Sequence, residues 1–160
     1  LIFVTVGTQK FQFNRLMEQI DKLAVSELKN EQIVVQCGYS DYSLKNCESK
    51  KFIEPEKVEE YIKKSDLIIT HAGTSSIIQG LKYKKKVVVV PRMSKFGEHV
   101  DDHQTEIGQL FSKKKYVETA FDITELAEKI ELAKDETYEV YEFGNNGINE
   151  SIDEYLKSLK

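Results

Sequence analysis

The sequence predicts an α/β fold: a single Rossmann-like parallel sheet with helices on both faces. Three observations predict it. The strand-like runs are short, continuous and apolar, as in LIFVTV and KVVVV, the pattern of strands covered on both sides. Segments with apolar residues at helical spacing separate them, the alternation that parallel crossovers require. At roughly 150 residues per domain, 160 residues make one domain, too few for two nucleotide-binding domains of ordinary size.

LIFVTV opens as the first strand and runs directly into GTQKF. Leu16, Ile20 and Leu23, adjoined by Phe13 and Met17, then repeat at helical spacing. EQIVVQCG reads as the second strand, ending at Gly38, and the polar stretch 39–49 as a loop. KKFIEP is a short third strand stopped by Pro55, and EKVEEYIKKS a helix striped by Val58, Tyr61 and Ile62. DLIIT is the fourth strand, HAGTSS its turn, SIIQGLKY a short helix and KVVVVP the fifth strand. After a loop, EHVDDHQTEIGQLFSK reads as a longer helix, YVET as the last strand and ITELAEKIELAK as an amphipathic helix. FGNNG is a turn, and NESIDEYLKSLK is helical with Ile152, Tyr155, Leu156 and Leu159 on one stripe. No repeat or linker divides the chain, so one domain is expected over 1–160, with 146–160 a C-terminal helix that docks a partner.

Open parallel sheets bind ligands outside the carboxyl ends of their strands, where the strand order reverses. In the common order 3-2-1-4-5-6 that point lies between the first and fourth strands. Here those strands end at Gly7-Thr8 and at His71-Ala72-Gly73, so two small-residue turns are expected to face one crevice.

Composition narrows the function. Acidic residues outnumber basic ones, 27 to 23, which argues against nucleic-acid backbone binding. No apolar run approaches the ~20 residues that span a bilayer. LIFVTVGT has neither the basic n-region nor the small-residue cleavage site of a secretory signal, so a cytoplasmic location is expected. Cys37 and Cys47 are too few for a disulfide framework or a zinc site and read as two reduced thiols.

HAGTSS carries the most chemistry. Gly73 lets a ligand approach the backbone, and Thr74, Ser75 and Ser76 are residues that start helices. Together they offer amides, hydroxyls and a helix N-terminus to an anion; simple helix capping is the alternative. Neither GxGxxG nor GxxxxGK[ST] is present, which lowers dehydrogenase and NTPase readings. In EHVDDHQ, His99 and His103 stand at i, i+4, but the HExxH order is missing, so no metal is expected. Hydrogen bonding of sugar hydroxyls by this acidic turn, or plain solvation, fits better. The runs Lys84–Lys86 and Lys113–Lys115 fall where two helices end and favour the C-terminal dipole; a membrane or partner patch is the alternative.

LIFVTVGTQKFQFNRL, ITHAGTSSIIQGLKYKKKVVVVPR and GEHVDDHQ, in that order, resemble one family over about residues 1–120. It is the small catalytic subunit of two-part bacterial capsule or exopolysaccharide glycosyltransferases. It is similar to the eukaryotic subunit that adds the second N-acetylglucosamine to dolichol-diphosphate. Both resemble the C-terminal half of the GT-B enzyme that makes lipid II, in glycosyltransferase family 28.

The resemblance implies a UDP-sugar as substrate, with no tightly bound cofactor. It puts Gly7 and Thr8 at the diphosphate turn, and Phe52 and Ile53 at the uracil, Ile53 through its backbone. His71, Gly73 and Ser76 match phosphate-facing positions, with Thr74 and Ser75 between them. Gln79 stands where the motif has a ribose-gripping Glu, a neutral amide in place of an acceptor-only carboxylate. Asp102 and Gln104 match an acidic-Gln pair near the donor sugar, with Glu98, His99 and Asp101 nearby. The implied reaction is inverting transfer to a lipid-diphosphate-linked sugar. A membrane-anchored partner at the inner face of the plasma membrane supplies the acceptor side, and the general base comes from it or from His99 or Asp102. A homo-oligomer stays open, as do two other roles: a nucleotide-sugar-binding subunit without catalysis, and a stand-alone transferase.

Overall fold

The computed structural model describes residues 1–141. Its six strands are β1 (Ile2–Thr5), β2 (Ile33–Gln36), β3 (Glu48–Lys50), β4 (Leu67–His71), β5 (Lys86–Val90) and β6 (Glu118–Thr119). They form one sheet in the order β3-β2-β1-β4-β5-β6, and every pairing is parallel. The α/β sheet expected from the alternation is the sheet observed. Each crossover carries a helix or a long loop. The helices are α1 (Asn14–Leu23), α2 (Pro55–Lys64), α3 (Thr74–Lys82), α4 (His103–Lys113) and α5 (Leu126–Asp135).

Alternation along the strands builds two cores. Ile2, Val4, Ile33, Val35, Ile69 and Val88 face one way, against Leu16 and Ile20 of α1 and Leu126 and Ile130 of α5. Phe3, Val34, Ile68, Val87 and Val89 face the other, against Ile62 of α2, Ile77 of α3 and Phe111 of α4. All residues of β1, β2 and β4 are buried, which explains why their sequences read as unbroken apolar runs.

Two expectations are corrected. The third strand is Glu48–Lys50, not KKFIEP. All three of its residues are exposed on a sheet edge, so no hydrophobic pattern marks it. In KKFIEP the Ile53 amide donates to Oε1 of Gln36 at 3.1 Å instead of to a neighbouring strand, and Pro55 already begins α2. The helix expected from Glu98 starts only at His103. A 3₁₀ turn at Ser94–Phe96 and Gly97 at φ +69° precede it. Side chains hold this loop in place of a helix: Glu98 accepts from the Met93 amide at 3.0 Å and Asp102 from the Ser94 amide at 2.9 Å. His99 and His103 therefore do not share a helix face.

The lysine runs end helices, as expected. Lys84 and Lys115 adopt φ of 57° and 60°. The next amides reach back five residues, Lys85 to Gly80 O and Tyr116 to Phe111 O, closing α3 and α4. Both cysteines are free; burial pushes the Cys37 thiol up and the Cys47 thiol up to about 11, so both stay protonated. Among the described residues, no helix is long and apolar enough to cross a membrane. The turn FGNNG and the helix expected at 146–160 lie outside the described residues.

Candidate functional site

β1 and β4 are neighbours at the reversal of strand order, with Thr5 opposite Thr70. Their carboxyl ends open into a hollow of about 490 Å³. Thr5, Gly7, Thr8 and Gln9 line it from the β1 side. His71, Gly73, Thr74, Ser75, Ser76 and Gln79 line it from β4 and α3. Gln36, Ile53, Pro55 and Val58 close the far wall. The two turns picked out by the sequence thus share one crevice.

α3 starts on Gly73 with no side-chain cap. Its first intrahelical bond runs from the Ile77 amide to Gly73 O at 3.0 Å. Capping by Thr74, Ser75 or Ser76 is therefore not what these residues do. The first-turn amides and hydroxyls stay at the crevice, with the positive end of the helix dipole behind them.

His71 stands between the two turns. Its side chain is buried, and a Cβ built on Gly7 or on Gly73 would lie 2.6 Å from its Nε2. Any larger residue at either position collides with the ring. Gly7 also has φ +72°, a conformation that disfavours a side chain. Burial, reinforced by the nearby Arg92 and His99 charges, holds the imidazole down to about 3 against the opposing hydrogen bond from Gln104. The ring is neutral at physiological pH.

Gln104 is buried on α4 and does not line the crevice. Its Oε1 accepts the Ala72 and Arg92 amides at 3.2 and 3.0 Å. Its Nε2 lies 3.2 Å from His71 Nδ1 and 3.4 Å from Gln9 Oε1. In this arrangement every polar atom of its amide is engaged by protein, which makes it a support for the crevice wall.

Glu98 is likewise engaged by protein. It is fully buried, and its carboxylate takes Arg15 Nε at 2.9 Å and Nη2 at 3.0 Å. Asp102 is exposed and holds the Ser94 amide and hydroxyl, which keep its carboxyl below the usual range and make it a weak base. It lines a separate hollow with Met93, Lys95 and Thr105. His99 lies outside the crevice lining, its ring 5.4 Å from Phe11 and its Nδ1 3.2 Å from Asp101 Oδ1. Phe52 is half-exposed, edge-on to Tyr39 at 5.2 Å, and does not line the crevice; Ile53 does.

Two supporting residues escaped the sequence reading. Arg92, fully buried, donates to the carbonyls of Val6, Phe11, Gln12 and Glu98, and its guanidinium lies 5.0 Å from the Phe13 ring. It ties the β1 turn to the loop before α4. Burial lowers its pKa to about 10, so it remains a cation. Gln36 bonds Thr5 Oγ1 at 3.2 Å and the Ile53 amide at 3.1 Å, joining the two walls. Gln9 meets Gln104. The available signal was position: polar residues at or just past the ends of buried strands.

Among the described residues, no group of three or more His, Cys, Asp or Glu side chains is arranged to hold a metal ion.

Comparison with known proteins gives this architecture a family. The model of the glycosyltransferase family 28 C-terminal domain matches residues 1–153. The chain is 30% identical over 109 residues to the UDP-N-acetylglucosamine transferase subunit ALG13 of Candida albicans, covering 65% of this chain and 36% of that protein. It is 30% identical over 118 residues to the ALG13 subunit of Debaryomyces hansenii, covering 66% and 55%. It thus spans between about a third and just over half of these relatives. Among solved structures, the glycotransferase of kitacinnamycin matches at TM-score 0.58 and 20% identity, over 84% of this chain and 35% of that one. MurG of Acinetobacter baumannii matches at TM-score 0.50 and 20% identity, over 98% and 50%. At such identities the structures speak for fold alone, and the fold is that of the C-terminal half of a GT-B glycosyltransferase. Sheet order, crevice and family match agree, and the chain belongs to glycosyltransferase family 28 through its C-terminal domain.

Proposed function

We propose that the crevice holds the diphosphate of a UDP-sugar, and that the chain is the donor-binding, catalytic subunit of an inverting hexosyltransferase. The observation that carries this reading is the uncapped start of α3 beside Gly7, Thr8 and the neutral His71 in one hollow. Amides, hydroxyls and an imidazole N–H suit an anion whose charge grows as the leaving group departs. The acceptor hydroxyl attacks the anomeric carbon as its bond to the diphosphate oxygen breaks, and a base takes the hydroxyl proton. The electron pair leaves with UDP. Ile53 contributes its carbonyl to the base of the nucleotide, since its amide is taken by Gln36. Gln79, one turn along α3, faces the ribose.

The names of the ALG13 relatives make UDP-N-acetylglucosamine the first donor to test. The same names, which describe subunits, support a partner subunit; in this proposal that partner is membrane-attached and presents a lipid-diphosphate-linked sugar at the inner face of the plasma membrane. Capsule or exopolysaccharide synthesis is the process proposed. On this chain His99, beside Asp101, is the base favoured over Asp102, whose carboxylate is committed to Ser94. Titration calorimetry tests the donor site: His71→Ala and Ser76→Ala each weaken UDP-sugar binding at least tenfold, and unchanged affinity in both contradicts the assignment.

One observation favours a second reading. Both base candidates lie outside the crevice lining, as they would in a subunit that binds nucleotide-sugar and leaves catalysis to its partner. Transfer of radiolabelled sugar by chain plus partner, lost in Ser76→Ala, supports the enzyme; transfer retained with a crevice unable to bind donor supports the accessory role.

A further inference from the structure

We propose that Gln104 is a positioning residue that holds His71 in the tautomer protonated on Nε2, so that the ring donates a hydrogen bond from between Gly7 and Gly73 into the crevice. The proposal rests on the reading of the crevice as a diphosphate site and adds the state in which its central side chain works.

The hydrogen-bond inventory leaves one solution. Two backbone N–H groups, from Ala72 and Arg92, converge on one atom of the Gln104 amide at 3.2 and 3.0 Å. Only the oxygen can accept them, so the amide cannot be flipped. Its nitrogen therefore faces His71 Nδ1 at 3.2 Å and Gln9 Oε1 at 3.4 Å. An amide nitrogen only donates, so Nδ1 must offer a lone pair. In a neutral imidazole the proton then sits on Nε2. Nε2 lies on the ring edge that a side chain on either glycine would strike, 2.6 Å from a Cβ at Gly7 and at Gly73, with Cε1 nearer still to Gly73. Two glycines and one amide thus leave a single N–H open to a ligand.

The surroundings keep the ring uncharged. Arg92 at the end of β5 and His99 on the following loop both act against a second proton, and the ring is almost wholly buried. Gln104, the polar side chain bonded to the ring, and Gln9, bonded in turn to Gln104, are neutral. The donor at this position therefore keeps its hydrogen-bonding direction across the physiological pH range. A carboxylate at position 104 reverses this: one oxygen still takes the Ala72 and Arg92 amides, while the other faces Nδ1 and draws a proton onto it.

The test uses the free chain, with histidine ¹⁵N-labelled and read by long-range ¹H–¹⁵N correlation spectra from pH 5 to 8. In the wild type, His71 shows a pyridine-type Nδ1 and a pyrrole-type Nε2 throughout. In Gln104→Glu, Nδ1 becomes protonated, and UDP affinity by calorimetry gains at least threefold on going from pH 8 to pH 6 relative to the wild type. In Gln104→Met, which removes the donor without adding charge, the two tautomers mix. A wild-type His71 carrying its proton on Nδ1, or doubly protonated at pH 7, overturns the proposal, as does a His71 spectrum unmoved by either substitution. Should Gln104→Glu fail to fold, the wild-type spectrum decides alone. The spectra require no ligand; a wild-type chain with the expected tautomer and no affinity for UDP contradicts the donor site and leaves the tautomer assignment standing.

Discussion

Glu98 closes on Arg15 through two hydrogen bonds, Nε to Oε2 at 2.9 Å and Nη2 to Oε1 at 3.0 Å, with the carboxylate buried. The pair fastens the start of α1 to the loop before α4. The same carboxylate also receives the Met93 amide, and Arg15 reaches the Pro91 carbonyl at 3.1 Å. Every part of this cluster is protein.

Removing one partner from such a pair leaves a buried charge uncompensated. Glu98→Ala is therefore expected to lower unfolding free energy by about 3 kcal/mol. Urea denaturation measures this. A residue that gripped donor sugar would instead leave stability near wild type and lose affinity for a UDP-sugar relative to UDP.

His71 gives folding a defined pH dependence. Its folded pKa is depressed, to about 3, below the ordinary value of 6.5. Between those values the unfolded chain binds a proton that the folded chain does not, so stability rises with pH there. The contribution is complete above pH 6.5 and is lost as pH falls toward 3. The slope from one such proton is at most about 1.4 kcal/mol per pH unit. Thermal and urea unfolding from pH 7 to pH 4.5 are expected to show a shallower decline in His71→Asn than in the wild type. Asp21, Glu27, Glu59, Asp66, Asp102 and Asp122, all held low, add to the decline toward the acid end of that window in both proteins alike, so the difference between the two isolates His71.

Two lysines sit in left-handed backbone at the ends of α3 and α4, a conformation in which a Cβ is unfavourable. Lys84→Gly and Lys115→Gly are each expected to raise stability by about 0.5–1 kcal/mol, less than the full conformational penalty because glycine gains freedom in the unfolded chain. Differential denaturation of the single variants checks it. Destabilisation of both would mean that the lysine stems contribute packing that outweighs the backbone.

The parts of the molecule legible in sequence are those that local patterns encode. β1, β2, β4 and β5 are buried on both faces and announce themselves as apolar runs, and the order of their turns located the crevice. β3 carries no such pattern, because Glu48, Ser49 and Lys50 are all exposed on an edge. Phe52 and Ile53, the apolar pair beside it, read as strand while their backbone goes elsewhere. Gly7, Thr8 and the 71–76 turn were found through residue type and spacing. Arg92, Gln36 and the true orientation of Gln104 depend on contacts across more than ten residues of sequence, which periodicity cannot express. Glu98 looked available in sequence because its partner, Arg15, is 83 positions away.

The most direct measurement of the central claim is a calorimetric series of uridine, UMP and UDP against the wild-type chain, Gly7→Val and Ser76→Ala. A crevice that grips a pyrophosphate binds UDP at least tenfold more tightly than uridine, with UMP between them. Gly7→Val, which drives a side chain into His71, and Ser76→Ala, which removes a hydroxyl at the start of α3, abolish most of that gain while both variants keep the wild-type circular dichroism. Equal affinity for uridine and UDP, or a phosphate gain that survives in both variants, would contradict it.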